Sequence, residues 1–249
     1  SEAAVNNKKK TNKKRQTKYI FVEADLRRGD QVVRVNFCEW FFKSVNEGLL
    51  DAQFVFYTDE SWFHLSGYVQ TSNTYSWLSQ ESHIQLKQSK DNPKVGVWCA
   101  ISGERIIGPI FYEEALTTDE YKTLILDPFL DGLTEKERSN GWFQLESETV
   151  LSHEDTKNKL GEVFADRIIG TGLWPARSPD LNPCKYYLWK KLIYKIYEIK
   201  PDTMDDLKKI IQQEIEKTEL SELQKIRENM ISRYNLCLEQ KGETFDYLL

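Results

Sequence analysis

The chain has 249 residues, of which 40% are hydrophobic and 29% are charged, and its formal net charge is −5. This composition is typical of a soluble globular protein, and no apolar run approaches the ~18 residues of a membrane span, so an integral membrane protein is excluded. The four cysteines are scattered without C-x-x-C spacing, which argues against a zinc site and favours reduced thiols in an intracellular compartment.

The net charge hides a basic segment, residues 1–18, ahead of an acidic body. Residues 19–249 hold 27 basic and 38 acidic residues, a net charge of −11. The segment contains one acid, Glu2, and seven basic residues: Lys8, Lys9, Lys10, Lys13, Lys14, Arg15 and Lys18. Such an arm is typical of a disordered tail that contacts phosphates or directs import into the nucleus. We therefore expect a nuclear protein whose tail binds nucleic acid. The alternative is a tail that only increases solubility. The negative charge of residues 19–249 is a poor match for DNA, which counts against the first interpretation.

The first predicted element is an amphipathic helix over Val33–Val45 that ends near Gly48. A buried strand follows at Phe54–Tyr57, where β-branched and aromatic side chains suit a sheet covered on both faces. The buried run is expected to end at Thr58-Asp59-Glu60, which places the Asp59 carboxylate at the strand tip, where ligands collect in open α/β sheets. Strand-like spacing resumes in the next residues and leads to a turn at Ser66-Gly67. A short aromatic strand is predicted at Tyr75–Trp77.

Two further buried strands are predicted at Lys94–Ser102 and Arg105–Tyr112, joined by a tight connection at Gly103-Glu104. Thr118 is predicted to cap a helix that presents four apolar residues on one face: Tyr121, Leu124, Ile125 and Phe129. A short strand, Gly141–Glu146, again ends in an acid.

The remainder alternates between helices and one strand. A helix is predicted around Asp155–Phe164 and a strand at Arg167–Gly170. Asn182 is predicted to cap a helix with Pro183 in its first position, and Thr203 a later helix in the helical C-terminal third. Together these elements predict one α/β domain, a mixed sheet with helices on both faces.

Five strings resemble the catalytic domain of mariner-type transposases of the DDE superfamily: YTDESWFHLSGYV, KVGVWCAISGERIIGPIF, GWFQ, LWPARSPDLNPC and YYLW. The match runs from about Arg34 to the C-terminus in consistent order and spacing. The resemblance implies an RNase H-like fold for residues 19–249, an ancestral metal-dependent cleavage and transfer of DNA strands, and a homodimer.

The resemblance also implies the site residues. In that family two aspartates and a third residue, usually an acid, hold two Mg²⁺ or Mn²⁺ ions, which cleavage of a phosphodiester needs at its attacking and leaving oxygens. Carried over position by position, the first acid is Asp59 and the second position is Glu146. The third position, directly after Pro183-Cys184, is Lys185. The resemblance thus implies Asp59 and Glu146 as metal ligands, if metal binding persists, in an incomplete triad.

Lys185 changes the expected chemistry of this triad. An ammonium cannot coordinate Mg²⁺, and near the N-terminus of a helix it is disfavoured by about 0.3–1 kcal/mol. Pairing with Asp59 and Glu146 would offset that cost, so we expect an internal ion pair in place of the metal. Glu146 itself carries its carboxylate one methylene further out, and a misplacement of ~1 Å can cost about a hundredfold in rate.

Three functional hypotheses follow. The first is a transposase-derived domain that has lost cleavage and binds DNA or protein. The second is an active, divergent transposase or endonuclease that uses Asp59 and Glu146, with Glu148 or Asp180 as third ligand. The third is a dimerisation module without DNA contact. Asp180 has a simpler interpretation as a turn residue whose carboxylate binds backbone.

The two helix-turn-helix modules that precede the catalytic domain in mariner-type transposases have no counterpart in the roughly fifty residues ahead of the first strand. The sequence therefore predicts that this chain does not read transposon ends by that route. It is then either a fragment of a longer product or a decayed or repurposed descendant of a transposase.

Overall fold

A computed structural model of the chain describes residues 26–65, 69–71, 74–76, 93–145 and 154–245. The basic residues of 1–18, Glu146 and Glu148 lie outside these ranges, so the predictions made for them are not tested by the fold. The helices of the described residues are α1 (Asp30–Asn46), α2 (Thr118–Glu120), α3 (Asp127–Asp131), α4 (Glu135–Asn140), α5 (Glu154–Phe164), α6 (Lys190–Ile199), α7 (Met204–Glu216) and α8 (Leu220–Glu239). The strands are β1 (Val55–His64), β2 (Val69–Thr71), β3 (Thr74–Ser76), β4 (Lys94–Ile101), β5 (Ile106–Tyr112), β6 (Trp142–Gln144) and β7 (Ile168–Ile169).

Two π-helical segments continue into α-helices. Tyr121–Leu126 joins α2 to α3, and Cys184–Trp189 leads directly into α6. Short 3₁₀ turns at Ala52–Phe54 and Pro179–Leu181 precede β1 and the second π segment. None of the helices in the described ranges is both long and apolar enough to cross a bilayer.

The sheet is organised around β1. On one edge, β1 pairs antiparallel with β4, which pairs antiparallel with β5. On its other edge, the first residues of β1 pair in parallel with β6, and its later residues pair antiparallel with β2. β7 and β3 extend these two branches. The described residues thus form a seven-stranded sheet that is mixed, as predicted.

Helices cover both faces of this sheet, which confirms the predicted architecture. On the first face, Tyr57 and Phe63 of β1 join a buried cluster with residues of α1, α6, α7 and α8. On the second face, Phe56 packs with residues of α3 and α5, including Phe129 and Phe164. Because alternate residues of a strand point to opposite faces, β1 supplies both clusters.

The predicted end of the first strand at Asp59 is wrong. β1 continues to His64, and Asp59 pairs with Cys99 in the middle of the β1–β4 ladder. The strand continues because β4 supplies partners for its backbone as far as Lys94. The parallel partner β6, however, stops at Gln144 opposite Tyr57, so Asp59 still lies just past the end of a neighbouring strand.

Most predicted elements appear with small shifts. The cap of α2 is Thr117, not Thr118, in a capping box with Glu120, whereas Thr203 caps α7 as predicted. Leu124 was expected to face the core but is 39% exposed. It lies in the π segment, whose wider turn rotates side chains relative to α-helical spacing. The capped helix α4 was not predicted.

Candidate functional site

Asp59 lies on the first face of β1, and its side chain is almost fully buried (residue exposure 3%). Trp189 donates a hydrogen bond from its indole Nε1–H to Asp59 Oδ2 at 2.7 Å. The ammonium Nζ of Lys185 lies 3.5 Å from Asp59 Oδ1. Of the predicted pairing of Lys185 with Asp59 and Glu146, the contact with Asp59 is present, and Glu146 lies outside the described residues. Each oxygen of the Asp59 carboxylate faces a donor from the same helical segment.

The start of this helical segment is fixed by Asn182, as the sequence predicts. Asn182 Oδ1 accepts a hydrogen bond from the backbone N–H of Cys184 at 2.9 Å, and its carbonyl accepts from Lys185 N. Pro183 follows the cap with helical backbone angles. Lys185 and Trp189 are four residues apart, so one side of the helix presents both to Asp59.

The site is buried and carries opposite charges at close range. Lys185 has 9% residue exposure, so its ammonium is largely removed from water. Burial, and secondly the nearby charge of Asp59, raise the pKa values of the Cys99 and Cys184 thiols above their ordinary range. Both cysteines thus stay protonated at neutral pH, and neither is a nucleophile or a thiolate ligand beside Asp59.

A polar network at the same edge joins three distant parts of the chain. Gln144 Oε1 accepts from the backbone N–H of Thr58 at 3.1 Å and from Asn182 Nδ2 at 3.4 Å. Asn182 Nδ2 also donates to the carbonyl of Thr58 at 3.1 Å, and Thr58 Oγ1 donates to the carbonyl of Gln144 at 2.9 Å. This Thr58–Gln144–Asn182 network holds β1, β6 and the cap of the π segment in register. Sequence reasoning overlooked its role, although all three residues lie within the quoted motifs.

Asp180 is not placed as either sequence interpretation expected. Its two carboxylate oxygens accept hydrogen bonds from Arg34 Nη1 and Nη2 at 2.7 and 2.6 Å. Arg34 is fully buried, and its Nε also donates to the carbonyl of Gly242 at 2.8 Å. The Asp180 carboxylate binds a guanidinium from α1 rather than turn backbone, and it is not available as a substitute third metal ligand.

Glu60, the second acid of the first motif, belongs to different surroundings. It follows Asp59 directly, so its side chain points to the second face of the sheet. There, Tyr112 donates its hydroxyl to Glu60 Oε2 at 3.4 Å. Burial, and then the charge of Glu60, raise the pKa of Tyr112.

The described residues do not fit a divalent metal as they are arranged. Among them, no group of three or more His, Cys, Asp or Glu side chains is placed to hold an ion. Asp59 Oδ2 accepts an indole N–H and Oδ1 faces an ammonium, so a cation bound to this carboxylate would lie close to the positive charge of Lys185. Glu146 and Glu148 lie outside the described residues, so a role for either as ligand stays a prediction.

Comparison with known sequences gives one curated relative of note, and no family model matches the chain. Transposable element Tc3 transposase of Caenorhabditis elegans is 26% identical over 145 residues, which cover 57% of this chain and 42% of that protein. The match thus spans less than half the length of the relative.

The fold is that of solved mariner transposase structures. The catalytic domain of Mos1 mariner transposase superposes with a TM-score of 0.68 at 14% identity, covering 90% of this chain and 100% of that one. A structure of the same domain with raltegravir and Mg has the same TM-score and identity over 89% of this chain and 100% of that one. A pre-cleavage Mos1 transpososome gives 0.72 at 14% identity, over 90% of this chain and 66% of that one. The predicted RNase H-like fold and the predicted resemblance are confirmed.

Proposed function

We propose that this chain, which has the fold of a mariner-type transposase catalytic domain, is a transposase-derived domain in which an internal ion pair has replaced metal-dependent DNA cleavage. The observation that supports this proposal is the position of Lys185, whose buried ammonium lies 3.5 Å from the first acid of the site. The domain retains the architecture of the site and acts as a DNA-binding module.

The ion pair opposes metal binding by charge as well as by space. Two-metal cleavage needs several anionic oxygens to neutralise the divalent ions and orient the reacting oxygens. Lys185 brings one positive charge where the family brings an acid, so any incoming cation meets repulsion at short range in a low-dielectric site. Asp59 instead holds the ammonium of Lys185 and accepts the N–H of Trp189.

DNA binding is proposed for the seven basic residues of 1–18, which oppose the acidic body. Solved structures of the similar Mos1 transposase include a paired-end complex with left transposon end and a strand transfer complex. By that likeness we also propose that the chain works in the nucleus and pairs with a second copy of itself.

A titration with Mn²⁺ tests the loss of the metal site. Isothermal calorimetry on the unmodified chain should show no tight, stoichiometric binding, whereas Lys185→Asp should gain at least one site. Lys190→Asp, which makes the same charge change outside the pocket, is the matched control and should gain none. Two tight sites in the unmodified chain, together with Mn²⁺-dependent plasmid nicking abolished by Asp59→Ala, would refute the proposal and establish an active nuclease.

Binding to duplex DNA, measured by fluorescence anisotropy at several salt concentrations, tests the second half of the proposal. The unmodified chain should bind with strong salt dependence, because neutralised phosphates release counterions. Replacing all seven basic residues of 1–18 by Gln should weaken that binding severely. Sedimentation of the same samples reports whether the chain is a dimer, and a dimer that never binds DNA would favour the assembly module instead.

A further inference from the structure

The exposed side of α6 is a basic surface within an acidic body. Residues 190–200 contain four lysines and one glutamate, a net charge of +3, while residues 19–249 as a whole carry −11. The α6 basic face consists of Lys190, Lys191, Tyr194 and Lys195. Its aromatic member is 53% exposed, a high value for a tyrosine in a packed domain.

The packing of α6 explains why these residues face outward. Leu192, Ile193 and Ile196 are buried against the first face of the sheet. The opposite side of the helix therefore has to carry the polar side chains, at i, i+1, i+4 and i+5. The helix also continues directly from Trp189, so the α6 basic face begins one residue beyond the side chain that contacts Asp59.

The ion pair of Lys195 on this face is weak and solvent-exposed. Lys195 Nζ lies 2.9 Å from Glu198, with side-chain exposures of 42% and 63%. Lys191 is more buried, with a side-chain exposure of 21%, and its Nζ donates to Glu222 at 3.2 Å, to the Tyr187 hydroxyl at 3.2 Å and to Thr218 Oγ1 at 3.0 Å. An exposed pair such as Lys195–Glu198 contributes about 0–1 kcal/mol, so a polyanion can compete for the Lys195 ammonium.

We infer that the phosphate backbone of duplex DNA lies along the α6 basic face, beside the Asp59–Lys185 pocket. This inference rests on the DNA binding proposed above, and it gives the folded domain a contact of its own in addition to residues 1–18. α6 has ten residues and is thus about 15 Å long. Duplex DNA carries a negative charge every ~1.7 Å along its axis, so a helix of this length can reach several phosphates. Exposed Tyr194 supplies a contact for sugar and base edges between the lysines.

The test is a pair of charge-matched variants in the full chain. Lys190→Gln/Lys195→Gln removes two charges from the α6 basic face. Lys157→Gln/Lys159→Gln removes two from α5, on the other face of the sheet, where Lys159 is likewise ion-paired, to Asp127 at 3.0 Å. Anisotropy titrations with one duplex are made at several salt concentrations for the unmodified chain and both variants.

The α6 variant should bind about tenfold more weakly at physiological salt. Its slope of log affinity against log salt should fall by about 1.8, because each lost phosphate contact removes about 0.9. The α5 variant should stay within about twofold of the unmodified chain. Equal effects of the two variants would overturn the inference while leaving DNA binding intact, whereas no binding by the unmodified chain would overturn the proposed function as well.

Photocrosslinking of the unmodified chain to duplex carrying 5-iododeoxyuridine keeps the test independent of how the variants fold. Crosslinked peptides should include Tyr194. Crosslinked peptides that lack Tyr194 while the duplex is bound would contradict a contact on α6.

Discussion

Two buried aspartates of this domain, Asp180 and Asp59, face a cation in different ways. Asp180 receives a guanidinium fork at 2.6 and 2.7 Å, with its partner Arg34 fully buried. Asp59 meets a single ammonium at 3.5 Å and fills its other oxygen with an indole N–H. The guanidinium pair links α1 to the turn at Asp180 through two short hydrogen bonds. The ammonium pair is longer and lies at the candidate functional site.

The difference shows two ways in which a buried carboxylate is balanced by a cation. A planar fork matches both carboxylate oxygens at once, so both Asp180 oxygens are engaged by the positive charge of Arg34. An ammonium is a point charge on a flexible stem, so Lys185 balances the charge of Asp59 without fixing the orientation of its carboxylate. Trp189 completes the arrangement by orienting the carboxylate.

The largest expected effect comes from breaking the guanidinium pair. Arg34→Ala leaves the Asp180 carboxylate buried without a cation, and we expect a loss of about 3–5 kcal/mol in the free energy of unfolding, measured by urea denaturation. Lys43→Ala is the control, since Lys43 pairs with Glu47 at 3.9 Å with side-chain exposures of 73% and 50%, and it should change nothing measurable. A loss below about 1 kcal/mol for Arg34→Ala would show that the two pairs do not differ as described.

The ammonium pair should cost less to break and should be rescued by its partner. Lys185→Met is expected to lower the free energy of unfolding by about 2–3 kcal/mol, because it leaves the buried Asp59 carboxyl group without its cation. Adding Asp59→Asn removes the carboxyl group and should restore most of the loss. A double-mutant cycle by urea denaturation measures the coupling, and additive losses would mean that the two residues do not interact.

The indole hydrogen bond should contribute a smaller amount. Trp189→Phe keeps an aromatic ring against Phe63 but removes the donor to Asp59 Oδ2, so we expect a loss of about 1–2 kcal/mol beyond the packing term. Trp174→Phe is the matched control, because its buried indole Nε1 has no hydrogen-bond partner among the described residues. Equal thermal destabilisation by the two substitutions would remove any special role for Trp189.

A third buried carboxylate, Glu137, should give the smallest effect and a pH signature. Burial alone would raise the pKa of Glu137, but hydrogen bonds from Arg105 and from Thr134 hold it below its ordinary value of 4.5. A lowered pKa stabilises the fold above about pH 4.5 and loses that contribution as pH falls through the folded value. Glu137→Gln should therefore cost about 1 kcal/mol at pH 7. The cost should shrink towards pH 3 in urea denaturation, and a constant cost would assign the effect to shape rather than charge.

Local features of the fold were predictable because they depend on neighbours in the chain. The cap at Thr203, the helix over Asp155–Phe164 and the two strands around Gly103-Glu104 all appear close to their predicted positions. Errors of one residue, as at Thr117, arise because two adjacent threonines offer the same capping group. The strand tip predicted at Asp59 was wrong because β4 pairs with β1 without interruption from Tyr57 to His64, so the strand-like spacing beyond Asp59 belongs to the same strand.

Long-range pairings set the limit of sequence reasoning for the site. The proximity of Asp59 and Lys185 was predicted from the family resemblance. Their separation of more than a hundred residues in the chain gives no indication of it. Arg34 and Asp180 are 146 residues apart, and no motif relates them. The Trp189 ring packs on Phe63 and its N–H binds Asp59, and no pattern in the sequence indicates the second of these contacts.

The Thr58–Gln144–Asn182 network bears on how substitutions affect this pocket. None of its three members bears a charge, and none is a predicted ligand. Their hydrogen bonds nevertheless join the segments from which ligands would project. The side chains that hold these segments together are therefore different from those that would act as ligands. A substitution at position 185 can alter the proposed chemistry of the pocket while the three segments around it keep their arrangement.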